Sequence, residues 1–182
     1  MSIYSNPASS TPAEIDVYVA GLLGLLGDQD PVRVLGETPG AVARLLDTVP
    51  AAMAIRAEAP GKWSMRDVVQ HMADSELVGG FRLRMVLAHD RPPLIGYDQD
   101  LWAERLRYAA SDVAGSLETW SALRRADLRL LDGASEADFA RVGVHAERGE
   151  ETVAHMVRMF AGHDLMHLRQ LERIRRAVTL EA

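Results

Sequence analysis

Two histidines four residues apart, His163 and His167 in the run His163-Asp164-Leu165-Met166-His167, are the residues of this chain best spaced for chemistry. On an α-helix, positions four apart lie about 40° from each other around the axis and about 6 Å along it. Two imidazoles so placed can close on one metal ion. They fall on a stripe of Thr152, Met156, Met159, His163, Met166/His167, Gln170, Ile174 and Val178, which predicts a core-facing side. Helix bundles build metal sites on such faces. The alternative is a pair of core histidines with ordinary partners. Each neutral ring then needs a donor and an acceptor, and two charged rings would repel at low dielectric. A shared cation removes that difficulty and leaves the outer ring nitrogens to be met by acceptors.

His71 is the natural third ligand. It lies on Val68-His71-Ser75-Val78, the inward stripe of an earlier helix; taken alone it reads as a structural histidine. Three neutral imidazoles from two facing helices, with one position open, match a Lewis-acid site rather than a closed structural one. Such a site activates a water or a thiol near neutral pH. The chain has no cysteine, so any thiol comes from outside and any metal is held by His, Asp or Glu. Imidazole ligands suit zinc, nickel, copper and iron alike.

The other candidates are weaker. His145 reads as a loop hydrogen-bonding group that could overhang the site, His155 as a packing residue, and His89, beside Asp90 at a helix end, as a cation on the C-terminal dipole. Asp74 either orients His71 or faces solvent, and Glu76 is expected in solvent. Asp164 is turned about 100° from the ligand face and is expected outside the metal's own ligands. Met156, Met159 and Met166 read as adaptable core, and Trp63, Trp102 and Trp120 as packing anchors. The sequence holds no glycine-rich phosphate loop, H-E-x-x-H word or G-x-S-x-G elbow.

Apolar spacing predicts helices almost throughout. Thr11-Pro12-Ala13-Glu14 is a capping box with proline at the first helical position, followed by the face Ile15, Tyr18, Val19, Leu22, Leu23 and Leu26. Thr38-Pro39 reads as a second start, followed by Val42, Leu45, Leu46 and Val49. A third helix is capped by Ser64 and runs to about Ala88, before Pro92-Pro93. Gly79-Gly80 inside it predicts close packing or a kink. Asp98 is expected to cap one long helix reaching Gly133. A short helical turn and a loop fill 135–150, and the last helix spans about Glu151 to Val178. No strand shows a convincing alternation. The expected architecture is all-α, a four-helix bundle with an accessory helix in the N-terminal crossover of residues 30–60. Residues 1–182 form one domain, with 1–10 a flexible or extended tail.

Composition agrees. The 182 residues are 48% hydrophobic and 25% charged, with a net charge of −6. That is enough apolar material for a core. Acidity argues against nucleic acid as a partner. The N-terminus lacks the basic and apolar regions of a signal peptide, and no apolar stretch approaches the ~18 residues of a membrane span. Cytoplasmic residence, with no membrane partner, is the expectation.

Several words occur in a specific order: Pro60-Gly61-Lys62-Trp63-Ser64, Asp67 through Ser75 containing His71, Tyr97-Asp98-Gln99-Asp100 with Trp102-Ala103-Glu104, Val144 through Glu150, and Ala161-Gly162-His163-Asp164 through His167 to Gln170. In order and spacing, from about residue 60 to 175, the chain resembles the DinB/YfiT-like superfamily, nearer its YfiT-type branch. The resemblance implies a four-helix bundle, commonly a homodimer, holding one divalent ion per chain. Nickel or zinc is the ion in known relatives. Its three-histidine ligand set falls on His71, His163 and His167. It also implies thiol S-transfer with a low-molecular-weight, bacillithiol-like thiol as the small-molecule substrate. The alternatives are metal-dependent hydrolysis and a non-catalytic metal- or ligand-binding stress protein. No general base is identified.

Overall fold

In the computed structural model, which describes residues 11–180, capping chemistry sets most helix starts. Helix α1 (Pro12–Leu26) begins at the predicted capping box, Thr11 accepting from the Glu14 N–H and Glu14 reaching back. The tail expected over 1–10 lies outside the described residues. Helix α2 (Pro31–Asp47) begins eight residues before the predicted Thr38-Pro39 start, because the Asp30 carboxylate caps the N–H groups of Val32 and Arg33. Pro39 therefore sits inside a helix, where it cannot donate to the carbonyl four residues earlier. That carbonyl belongs to Leu35, and it accepts instead from Arg124 Nη1 at 2.7 Å. A tertiary donor thus replaces the missing helical one. The helix expected to be accessory is thus α2, which packs on both α8 and α6 as a full bundle member, and helix α3 (Ala51–Ala54) is a single turn between α2 and the next long helix.

Helix α4 (Met65–Ala88) has the Ser64–Asp67 capping box. The expected single helix from Asp98 to Gly133 is broken. Helix α5 (Gln99–Arg105) ends before Arg107, which is left-handed at φ 58°, and a 3-10 turn spans Tyr108–Ala110. Helix α6 (Val113–Asp132) restarts where Asp112 accepts from the Gly115 N–H. Apolar spacing continued across the break, but the Ser111-Asp112 cap decides against a continuous helix. Helix α7 (Glu136–Phe139) is the expected short turn, and helix α8 (Val153–Leu180) closes the chain.

Strands are present, contrary to expectation. β1 (Pro93–Leu94) runs parallel to β2 (Val142–His145), and β2 pairs antiparallel with β3 (Gly149–Thr152). Two- and four-residue strands are too short to show alternation. The sheet lies on α4: a Cβ at Gly143 would come within 2.7 Å of Val86 and 2.8 Å of Leu94. β3 runs straight into α8, whose His155 N–H is capped by Thr152 Oγ1 at 3.1 Å.

Helices α2, α8, α4 and α6 pack in a closed ring, and α1 lies along α8. One apolar cluster joins Val42, Val68, Met72, Trp120, Leu171 and Ile174 toward one end. Another joins Leu26, Leu35, Leu83, Val86, Leu131 and Met156 toward the other. Between them the interior turns polar. Gly80 permits this crowding, since a Cβ there would meet the Asp127 carboxylate at 2.3 Å. Among the described residues, no helix is long and apolar enough to cross a membrane.

Candidate metal centre

His71 stands in the second turn of α4, oriented by the capped start of that helix and by Trp63, whose ring lies 5.0 Å from the imidazole, centre to centre. His163 and His167 stand one turn apart in the middle of α8. The structure brings the three together. His163 Nε2 is 3.3 Å from His71 Nε2 and 3.0 Å from His167 Nε2, and one ring nitrogen from each lies within 4.8 Å of the others.

Their electrostatics favour a cation at the meeting point. Burial holds the His71 pKa well below the ordinary histidine value, with repulsion from His167 adding to it. Burial does the same at His163, helped by His167, His71 and Arg124. At His167 burial lowers the value to about 4, against the opposing bond to Gln170. All three rings are neutral near pH 7. His167 Nδ1 lies 2.8 Å from Gln170 Oε1. The amide oxygen only accepts, so Nδ1 carries the proton and the Nε2 lone pair points to its neighbours. Facing lone pairs repel unless a proton or a cation lies between them. Two nitrogens about 2.0–2.1 Å from a tetrahedral zinc ion stand about 3.3 Å apart, close to both observed separations. The donor set therefore fits a divalent ion. Gln170 supplies the outer acceptor for one ring, whereas His71 Nδ1 finds no partner among the described residues.

A cavity of about 110 Å³ reaches this point, with His71 and His163 in its wall. It is several times the ~10–15 Å³ that one water requires. Ser75 Oγ lies 3.3 Å from His71 Nε2 and 2.8 Å from the Tyr97 hydroxyl, the polar groups nearest the histidines on that side.

Beneath the histidines lies a buried ionic knot that sequence reading missed. Arg124 of α6 donates to both oxygens of Asp164, at 2.6 and 3.1 Å, and to both of Glu76, at 2.7 and 2.6 Å. Burial works against the guanidinium charge, but the two carboxylates outweigh it and raise the Arg124 pKa. Burial also raises Asp164 to about 6, with Arg124 opposing. Glu76 is thus not in solvent as expected: its side chain is 10% exposed and held by Arg124. Asp164 is outside the histidine cluster, as predicted. Asp74 neither orients His71 nor faces solvent; it accepts from the Tyr108 hydroxyl at 2.6 Å and from Gln70 at 3.3 Å. A signal for Arg124 existed in the sequence. Leu117, Trp120, Arg124, Asp127 and Leu131 follow a three-four spacing, so two charged residues stand on a core stripe and require buried partners.

His145, expected in a loop, is in strand β2 and 2% exposed. Its Nδ1 accepts from the Glu147 N–H at 3.2 Å. That is the hydrogen-bonding role expected of it, and its ring also lines the cavity. His89 caps the C-terminal end of α4, and His155 is partly buried at the start of α8.

Comparison with known proteins agrees with this frame. A DinB superfamily model matches residues 35–171, a span holding all three histidines. An Oceanobacillus iheyensis protein provisionally named a metal-dependent hydrolase is 31% identical over 108 residues, 59% of this chain and 62% of the relative. The chain therefore spans under two thirds of that relative's length. YfiT of Bacillus subtilis, provisionally named likewise, is 25% identical over 146 residues, 78% of this chain and 82% of the relative. The solved structure of YfiT, described as a probable metal-dependent hydrolase with an unusual four-helix bundle topology, aligns with a TM-score of 0.72. At 22% identity, that alignment covers 93% of this chain and 92% of the other. The chain belongs to the DinB superfamily, and its fold is the YfiT-like helical bundle.

Proposed function

We propose that this protein is a divalent-metal-dependent enzyme, with His71, His163 and His167 as its metal ligands, that activates a low-molecular-weight, bacillithiol-like thiol for S-transfer. The observation that carries the reading is the convergence of three neutral imidazole nitrogens at the wall of a cavity. A bound divalent ion, nickel or zinc by resemblance, supplies Lewis acidity that lowers the pKa of a ligand in its open position. The chain's own residues do the rest. The histidines stay neutral and hold their lone pairs inward. Gln170 fixes the ring of His167. Ser75, held by Tyr97, offers a hydroxyl to a group arriving beside His71.

Thiol activation is favoured over hydrolysis by what surrounds the histidines. Attack by water calls for a base to take its proton. Of the carboxylates in the cavity wall, Glu76 and Asp164 are each bound at both oxygens by Arg124, and Asp127 is paired with Arg84 at 2.5 Å. A free thiol, with a pKa near ~8.5, needs less help to ionise. Hydrolysis is the second reading, supported by the names of the relatives. The test is to incubate metal-loaded protein with bacillithiol and an alkylating electrophile, and separately with esters and amides. Metal-dependent thiol consumption is expected. Ester or amide turnover without thiol consumption would replace this reading with the second.

A homodimer is proposed on the same footing. It follows from the resemblance, and Leu77 and Phe81, one turn apart on α4 and 53% and 60% exposed, offer apolar side chains that a second copy could cover. Sedimentation is expected to give a species of about twice the 20.0 kDa chain; a monomer would refute it.

A further inference from the structure

Three turns beyond His71 along α4, the cavity wall holds two side chains that each keep an N–H with no acceptor among the described residues. Arg82 of α4 is 9% exposed, and no ion pair to it is found among the described residues. Its Nη2 donates to the Ile95 carbonyl, and its Nε has no partner. A guanidinium carries five N–H donors, and burying one away from an acceptor is costly. His145 adds another. Because its Nδ1 accepts from the Glu147 N–H, the proton of the neutral ring sits on Nε2, and Nε2 has no partner either. Burial, with the charges of Arg148 and Arg82, lowers this ring to about 4, so it is neutral near pH 7. Both residues line the cavity that reaches His71 and His163.

We propose that this end of the cavity is a carboxylate-binding subsite, in which Arg82 and His145 turn their free N–H groups onto the oxygens of a bound organic acid. A flat carboxylate offers two oxygens to a guanidinium and a neighbouring N–H. Arg148, also in the wall, adds positive charge, but its guanidinium is already bound by Glu151, at 2.5 and 3.0 Å. Glu147 lines the same end. With Arg82 and Arg148 set against Glu147 and Glu151, the region is balanced in charge. It suits a single negative charge better than the double charge of a phosphate monoester. Tyr18 also lines the cavity, and Tyr97, bonded to Ser75, lines it toward His71. The substrate class this implies is a small molecule with a carboxylate at one end and its reacting group at the histidines. The subsite itself does not depend on the metal.

The probe is acetate, titrated calorimetrically into the full chain, once metal-loaded and once after chelator treatment. Saturable millimolar binding is expected in both forms, which separates the subsite from coordination at the histidines. Arg82→Met is expected to weaken it about tenfold and His145→Phe about threefold. His145→Gln, whose amide N–H reaches the place of Nε2, is expected to bind as the parent does. Inorganic phosphate is expected to compete poorly. The proposal is overturned if acetate does not saturate, if binding vanishes with the metal, if Arg82→Met binds as the parent does, or if phosphate displaces acetate at lower concentration. Circular dichroism checks each variant. If Arg82→Met is unfolded, the His145→Phe and His145→Gln pair decides, and equal affinities in those two reject the subsite. Loss of thiol transfer with acetate binding intact would count against the proposed activity and not against this subsite.

Discussion

At the scale of single residues, His163 and His167 could be read from their spacing on an apolar stripe, and His71, whose neighbours one turn away are small or apolar, only in combination with them. Spacing along α8 and the stripe on α4 carried that reading, and the fold brings the nitrogens to 3.0 and 3.3 Å. Their partners could not be read in the same way. Gln170 lies one turn past His167, but an amide at that position is as compatible with core packing as with a hydrogen bond to a ring. Its role is now testable. Gln170→Ala removes the acceptor that fixes His167, and metal affinity is expected to fall about 10–100-fold. His163→Ala removes the central nitrogen of the set and is expected to abolish stoichiometric binding. Competition against a chromophoric chelator measures both, and an unchanged affinity for Gln170→Ala would separate the amide from the metal. Arg124 stands between two carboxylates with a side chain only 4% exposed. Replacing Asp164 by alanine leaves part of that charge uncompensated and is expected to cost roughly 3–5 kcal/mol in urea unfolding. Arg124→Met strands two carboxylates instead and is expected to be at least as damaging.

At the scale of elements, capping groups and packed glycines decided what apolar period could not. The period ran through residues 98–133 without a gap, yet Asp112 and the left-handed Arg107 cut the helix in two. The same period started α2 too late, because Pro39 looked like a first-turn residue. Its consequence is tertiary: the Leu35 carbonyl it frees is the one Arg124 holds. No local pattern can announce such a partner from 89 residues away. The small sheet was invisible for a different reason, its strands being too short for alternation to mean anything. Gly162 shows how closely the elements fit. It lies just before His163 on α8, and a Cβ there would stand 2.2 Å from the Leu22 carbonyl oxygen of α1. The obstacle is backbone, so no side-chain rotation relieves it. Gly162→Ala is therefore expected to push α1 off α8 and to lower stability by about 1–3 kcal/mol, although alanine is the better helix former. Urea unfolding checks the sign: a more stable variant would mean that α1 yields without cost.

At the scale of the whole molecule, the fold keeps four histidines uncharged in its interior, and this fixes how its stability depends on pH. His71 and His163 are held well below the ordinary value of 6.5, and His145 and His167 fall to about 4, burial being the first cause at each. In the unfolded chain all four take up protons near pH 6.5. Between about 6.5 and 4 the unfolded state binds more protons than the folded one, so stability falls as pH falls. One pH unit below 6.5 the penalty is about 1.4 kcal/mol for each ring, several kcal/mol together against a usual total of ~5–15. Asp164 pulls the other way. Its raised value of about 6 makes the folded state bind a proton the unfolded carboxyl releases, which returns roughly 1 kcal/mol at the same pH. Asp127, also raised, acts in the same direction. Four rings outweigh two carboxyls, and between pH 7.5 and 6 the rings act almost alone. The metal-free protein is accordingly expected to lose thermal stability steadily over that interval. A metal that binds neutral imidazole stabilises the folded state by mass action, and protons compete with it for the same nitrogens. Its added stability is expected to shrink as the pH drops. Scanning calorimetry at half-unit steps, with and without zinc, tests both. An unfolding temperature that stays level or climbs from pH 7.5 to 6 in the metal-free protein would mean that the rings are not held neutral by the fold.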